Sequence, residues 1–234
     1  MQIKPESIGA VNSAEHYCRP RLQSDLEKAA GNFIVYAFGG TGYGKTQAIR
    51  TFIESLEGVC VFWMQMTEND NIPFAFWENF CYSLSKEFPA LAEELRAVGF
   101  PNTDSKFKRF VTMIRENLSL NSPERTFVVY DDFHIITDER IVNFFERMSN
   151  FKHLRLCSIA ISHSPPPPFL LSKLSKEGLL SILDEDVFRF TRSEIEGFMR
   201  QEGLTLTDID AVLEETKGWA MAIRLLAIAL KHAR

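Results

Sequence analysis

Eight consecutive residues carry the clearest chemistry in the chain. Gly39-Gly40-Thr41-Gly42-Tyr43-Gly44-Lys45-Thr46 follows the pattern G-x-x-x-x-G-K-[ST]. Glycines at this density let a backbone wrap an anion with its N–H groups pointing inward. Lys45 brings a cation to the β- and γ-phosphates of a nucleotide, and the Thr46 hydroxyl is suited to ligate Mg²⁺. A helix opening at Lys45 presents its positive end to the same anion. Gly39, Gly42, Gly44, Lys45, Thr46 and Gln47 form the expected nucleotide-contacting set of this phosphate-binding loop, or P-loop.

A second pattern completes the first. Phe127-Val128-Val129-Tyr130-Asp131-Asp132 is an apolar strand that ends in two carboxylates. Asp131, held at the carboxyl edge of a sheet beside the P-loop, is the expected second ligand for Mg²⁺. Asp132 is the candidate catalytic residue that orients or polarises water, with a structural role as the alternative. Ile161-Ser162-His163 ends the next strand. His163 faces a terminal phosphate if that strand lies between the other two; a plain strand-to-loop transition is the other reading. His134 reads as a packing or hydrogen-bonding residue, and His16, His153 and His232 as surface residues. Arg19-Pro20-Arg21-Leu22 is either a solvated basic turn or a segment that covers the nucleotide base, which makes Arg21 a candidate contact.

These residues need elements to hold them. Leu22–Ala30 reads as a short helix, Phe33–Phe38 as a buried strand and Lys45–Leu56 as the helix after the P-loop. Val59–Met64, Phe127–Tyr130 and Leu156–Ile161 read as three more buried strands. Phe74–Phe88, Phe107–Leu118 and Asp138–Met148 read as helices. Pro165–Pro168 is a loop in extended polyproline geometry. Leu179–Leu183 and Val187–Phe190 are candidates for short extended pieces. Met1–Ala14 is polar and irregular. Beyond Phe190 the chain reads as helix only, over Arg192–Gln201, Asp208–Thr216 and Trp219–Lys231, with a capping box at Thr191 and Glu194. Strands alternating with helices predict an α/β fold: a three-layer P-loop core around a parallel sheet, with a small C-terminal helical subdomain. The expected division is 1–190 for the core and 191–234 for the helices.

Composition narrows the function. The chain has 234 residues and a net charge of −5, with 26 Lys and Arg against 31 Asp and Glu. That balance argues against a general nucleic-acid binder, which needs a basic surface. It leaves room for a nucleotide pocket, which needs only local cations and N–H groups. The 20 phenylalanines exclude wholesale disorder. No apolar run is long enough for a membrane span, because Arg224 interrupts Ala220–Leu230. No apolar leader opens the chain. Cys18, Cys60, Cys81 and Cys157 form no C-x-x-C pair and read as reduced thiols of a cytoplasmic protein.

Taken in order, Arg19-Pro20-Arg21-Leu22, Gly42-Tyr43-Gly44-Lys45-Thr46, Asp131-Asp132-Phe133-His134-Ile135-Ile136 and Lys217-Gly218-Trp219-Ala220 resemble the nucleotide-binding part of MalT-like regulators. These are large ATP-binding transcriptional regulators of the LuxR type, within the STAND class of P-loop ATPases. The resemblance runs from about Arg19 to Ala229. It implies ATP or ADP with Mg²⁺ as cofactors, and ATP-driven switching with slow hydrolysis. It places Arg19–Leu22 near the adenine, and Gly218 and Trp219 at the start of a helix that senses the nucleotide. It implies downstream sensor and DNA-binding domains as partners, self-association in the ATP-bound state, and a chain that is part of a longer protein. Such regulators commonly carry Ser-Arg where this chain has Ser162-His163.

Two other functions fit a P-loop. A small-molecule kinase needs an Arg-rich lid, and Ser162–Gly178 has four prolines and no arginine. An interaction module without turnover would not need Lys45, Thr46 and Asp131 intact. Adenine over guanine rests on the resemblance, since no N-K-x-D motif is present.

Overall fold

The computed structural model describes residues 17–121, 125–148, 156–168, 170–171 and 178–232. The expectations for Met1–Ala14, His16 and His153 lie outside these residues.

Five strands form one sheet: β1 (Ile34–Phe38), β2 (Val59–Gln65), β3 (Arg125–Asp131), β4 (Leu156–Ser162) and β5 (Leu180–Leu183). Their order is β2-β3-β4-β1-β5, and every pairing is parallel. The inner strands are near-continuous apolar runs because both sheet faces are covered. Along β1, Ile34 and Tyr36 pack on one face, and Val35 and Ala37 on the other.

The first face is covered by α3 (Pro73–Ser85), α4 (Pro89–Val98), α5 (Asp104–Asn121) and α6 (Glu139–Met148). Its core is aromatic, with Trp77, Phe80, Phe110 and Phe144 all in mutual ring contact. The second face is covered by α1 (Pro20–Ala30), α2 (Lys45–Glu54) and the single turn α7 (Glu185–Phe188). Leu22, Leu26, Ile49 and Phe52 fill it. Full burial of each such side chain contributes roughly 1.5–3 kcal/mol, which holds the strand ends in register.

α8 (Arg192–Gln201) and α10 (Ala220–His232) share a separate apolar cluster of Ile195, Met199, Leu204, Ile223 and Ala227, against which α9 (Ile209–Thr216) packs Ile209, Val212 and Leu213. Thr191 and Glu194 close the capping box at the start of α8. No helix among the described residues is long and apolar enough to cross a membrane.

Three local expectations need correction. α4 was not expected, yet Pro89 at its first position and the spacing of Leu91, Ala92, Leu95 and Val98 suit a helix. Val187–Phe190 is not a strand. The Asp184 carboxylate accepts from the Val187 N–H and starts α7 instead, so the cap overrides the apolar pattern. The proline run is loop through Pro167, and Pro168 then enters a helical turn in which the Pro167 carbonyl accepts from Leu170.

Candidate functional site

β1 ends at Phe38 and the chain turns through the P-loop into α2. Gly44 caps the helix in the left-handed region, at φ 78°. Gly42 has φ 83°, and a Cβ there would stand 2.8 Å from the Trp219 indole nitrogen. Only glycine satisfies both the backbone and that approach. Lys45 is 5% exposed, and its Nζ donates to the carbonyls of Gly39 at 2.7 Å and Gly40 at 2.8 Å. Burial lowers the Lys45 pKa, and the charges of Asp131, Asp132 and Glu185 oppose that shift.

β4 lies between β1 and β3, so Ser162 pairs with Phe38 at the edge that carries the P-loop. The next strand over, β3, delivers Asp131 to the same edge. The Thr46 hydroxyl donates to Asp131 Oδ1 at 3.0 Å. Asp131 is 4% exposed, and burial raises its carboxyl above the usual range while the Thr46 hydroxyl pulls it down. A buried carboxylate and a hydroxyl side by side form a hard oxygen pair of the kind Mg²⁺ takes.

Asp132 adopts φ 57°, a left-handed conformation rare outside glycine. The turn aims its carboxylate across the edge, where Gln65 Nε2 donates to Oδ2 at 2.6 Å. His163 Nε2 lies 3.7 Å from Asp132 Oδ1. His134 stacks on His163 with ring centroids 4.4 Å apart. Burial lowers the His163 pKa, and the charges of Lys45 and His134 lower it further, against the opposing pull of Asp132 and Asp131. The structure therefore gathers Gly39, Lys45, Thr46, Asp131, Asp132 and His163 at one sheet edge.

Of the remaining candidates, Gly42, Gly44 and Gln47 line a neighbouring cavity of about 930 Å³. Gly42, Gly44 and Gln47 line one wall, Tyr17, Arg19 and Gln23 another, and Ala220, Met221 and Arg224 of α10 a third. α10 docks on the P-loop itself. Trp219 Nε1 donates to the Thr41 carbonyl at 3.1 Å, and the Met221 N–H to the Gly42 carbonyl at 3.0 Å. Gly218, at φ 75°, turns the chain into this helix, and its carbonyl accepts from the Phe190 N–H. A Cβ at Gly218 would meet the Phe190 carbonyl oxygen at 2.5 Å.

Arg21 is placed elsewhere. Its guanidinium donates to Glu194 and to the Val187 and Arg189 carbonyls, and it is not among the cavity's lining residues. Arg19 lines the cavity but is also committed. It donates to Glu194 at 2.9 Å and to the Phe188 and Arg189 carbonyls, and it lies 4.0 Å from the Phe190 ring centroid. Together the two arginines clamp α1 to the start of α8.

Glu194 is the acid of this clamp. Burial raises its pKa, but the hydrogen bonds from Arg19, the Thr191 N–H and Arg21 outweigh that, and the net shift is downward. A carboxyl with a lowered folded pKa adds stability above its unfolded pKa of about 4.3 and loses it as pH falls through the folded value. The melting temperature is expected to drop as pH falls below about 4.3, and Glu194→Gln to flatten that slope. Equal slopes in thermal melts of the two proteins would refute this.

Gln65, Glu194 and Gln23 were not among the sequence candidates. Gln65 carried no signal of its own, because it meets Asp132 only through the pairing of β2 with β3. Glu194 was visible only as a cap. Gln23, whose buried Oε1 has no partner, carried no signal.

No protein-family model matches the chain. It is 26% identical over 220 residues to the serine/threonine-protein kinase PknK of Mycobacterium tuberculosis, covering 91% of this chain and 20% of that protein. It is 24% identical over 220 residues to the HTH-type transcriptional regulator MalT of Vibrio cholerae, covering 92% of this chain and 24% of that protein. The chain thus spans a quarter or less of the curated relatives it matches. Among solved structures, a STAND protein with a tetratricopeptide repeat sensor from Pyrococcus horikoshii superposes with a TM-score of 0.60 at 16% identity, over 91% of this chain and 30% of that one. The chain has an α/β P-loop fold that superposes on that of a STAND protein, and it is similar in sequence over nine-tenths of its length to PknK and to the MalT regulators.

Proposed function

We propose that the chain is an ATP-binding regulatory switch, in which the helices of 191–234 respond to the nucleotide held by the core of 1–190. The observation that carries this is the docking of α10 on the P-loop through Trp219 and Met221. The carbonyls they use belong to Thr41 and Gly42, inside the loop that must wrap the phosphates. A ligand that reshapes this loop therefore biases the helical arm between two arrangements, which is what a switch requires.

The 930 Å³ cavity beside Gly42 and Gly44 has room for a base and sugar. The unpartnered Oε1 of Gln23 in its wall suits the amine that adenine carries where guanine carries oxygen. Thr46 and Asp131 would hold Mg²⁺, which supplies charge neutralisation to the phosphates when bound. Lys45, released from the Gly39 and Gly40 carbonyls, would pair with the terminal phosphates. Asp132 would accept a hydrogen bond from the attacking water and orient it. The strained backbone of Asp132 supports that role. Downstream sensor and DNA-binding domains of the same protein, and self-association with ATP bound, complete the proposal.

The test is the emission of Trp219 on adding Mg²⁺ and ATP, with phosphate release followed in the same sample. Trp63 and Trp77 remain as a background that Trp219→Phe isolates. A nucleotide-dependent change that vanishes in Trp219→Phe, with slow release of phosphate, is expected. Unchanged emission at saturating ATP, or transfer of phosphate to an added small-molecule acceptor, would overturn the switch in favour of a rigid binder or a kinase.

A further inference from the structure

Three side chains beside the P-loop bring their ligand atoms close together. They are Asp132, in the turn after β3, His134, two residues on, and His163, just past β4. His134 Nδ1 lies 3.9 Å from Asp132 Oδ1, and His163 Nε2 lies 3.7 Å from the same oxygen. All three ligand atoms fall within 4.8 Å of one another. Neither imidazole is close enough to hydrogen-bond the carboxylate. His134 Nδ1 is buried and has no hydrogen-bond partner. A buried nitrogen left in that state is costly unless something fills the gap.

We propose that Asp132, His134 and His163 form a binding site for a transition-metal dication of the Zn²⁺, Co²⁺ or Ni²⁺ class, separate from the Mg²⁺ position at Thr46 and Asp131. The size fits. Zn–N and Zn–O bonds of about 2.0–2.2 Å set tetrahedral ligand atoms about 3.4 Å apart. The two spacings to Asp132 Oδ1 exceed this by a few tenths of an ångström. The imidazoles stack with their planes 12° apart, so the partly exposed His163 ring must turn out of the stack for both nitrogens to meet one ion. The chemistry fits as well. Two imidazoles and one carboxylate favour borderline metals over Mg²⁺, which prefers oxygen alone.

The surroundings add support. Gln65 donates to Asp132 Oδ2 at 2.6 Å, which leaves Oδ1 free and fixes the carboxylate's orientation. His163 and Asp132 are partly exposed, so an ion has a path in and a fourth position remains open to water or a phosphate oxygen. Dication plus carboxylate leaves a net charge of +1 at the end of β4. The thiols compete weakly, since Cys60, Cys81 and Cys157 are buried with their pKa values raised and only Cys18 is exposed.

The experiment is titration of the nucleotide-free chain with Zn²⁺ by calorimetry, and with Co²⁺ by visible absorption. One ion per chain is expected, with a Co²⁺ spectrum of nitrogen and oxygen ligation and no thiolate charge-transfer band. His163→Ala and His134→Ala should each weaken binding by about 100-fold, and Gln65→Leu by about 10-fold. Unchanged melting of the metal-free variants would show that the loss is local. Asp131→Asn should retain the ion. Absence of binding, wild-type affinity in either histidine variant, or loss of binding in Cys18→Ser or Asp131→Asn would each overturn the site. Because no nucleotide is used, these outcomes are independent of whether the chain is an ATP switch.

Discussion

Lys45→Ala is expected to abolish the rise in melting temperature that Mg²⁺ and ATP give the wild-type chain. A ligand at a hundred times its Kd adds roughly 2.7 kcal/mol to the folded state. For a chain of this size that raises the melting temperature by roughly 5–10 °C. Lys45 Nζ, seated on the Gly39 and Gly40 carbonyls, is the cation nearest the centre of the P-loop. Without it the triphosphate meets N–H groups and a helix end but no full charge within the loop. Burial already lowers the pKa of the Lys45 ammonium, so an anion that stabilises its charged form gains more there than at a surface lysine. The measurement is a thermal melt of each protein with and without ATP, ADP and GTP. A variant that still rises as the wild type does would place the nucleotide elsewhere. A wild type that rises with none of them would remove the ground for ATP switching.

Arg19→Ala is expected to produce the largest loss of intrinsic stability, about 3–5 kcal/mol, or roughly 10 °C in melting temperature. Arg19 is 7% exposed and Glu194 5%, with 2.9 Å between them. Removing the arginine takes the nearest cation from a buried carboxylate, and the Phe188 carbonyl loses its Arg19 donor while the Arg189 carbonyl keeps only Arg21. Arg21 compensates in part, since it also reaches both Glu194 oxygens at 3.2 and 3.3 Å, but those bonds are longer and its side chain is more exposed. The double variant Arg19→Met with Glu194→Leu should recover much of the loss, because the uncompensated charge is gone and the cavity wall is refilled with apolar atoms. A single variant as stable as wild type would mean that the clamp is not a structural hinge. A double variant no better than the single would mean that packing rather than charge holds it.

The resemblance between Arg19–Leu22 and a base-covering segment takes a particular form here. The two arginines tie the core to the helical arm, while the cavity wall beside them is built by Tyr17, Arg19 and Gln23. A basic turn near a nucleotide suggests contact with the ligand. In this chain its guanidiniums are held by carbonyls and a carboxylate, with the buried Arg19 Nε left without a partner, so they act on the geometry of the pocket. Trp219 does not sit in a core. Its indole is 37% exposed and its N–H is spent on a P-loop carbonyl.

What the amino-acid sequence determined by itself is whatever a short stretch of chain can encode. The P-loop is eight contiguous residues, and its glycines, lysine and threonine act through backbone conformations available at those positions. The strand ahead of it, the helix after it, the capping box at Thr191 and the strand leading to Asp131 are local too, because period and capping operate over two to four residues. The pairing of Thr46 with Asp131 spans 85 positions, and it was legible only because two local motifs imply each other. Tertiary structure alone decided the rest. His163 meets His134 and Asp132 because β4 lies between β1 and β3, and Gln65 reaches Asp132 because β2 runs beside β3. Arg19 finds Glu194 across 175 positions, and Trp219 finds Thr41 across 178. Strand order and helix docking are set by the free energy of burying both sheet faces at once. No contiguous segment carries that quantity, so residues that meet through it leave no pattern in the sequence.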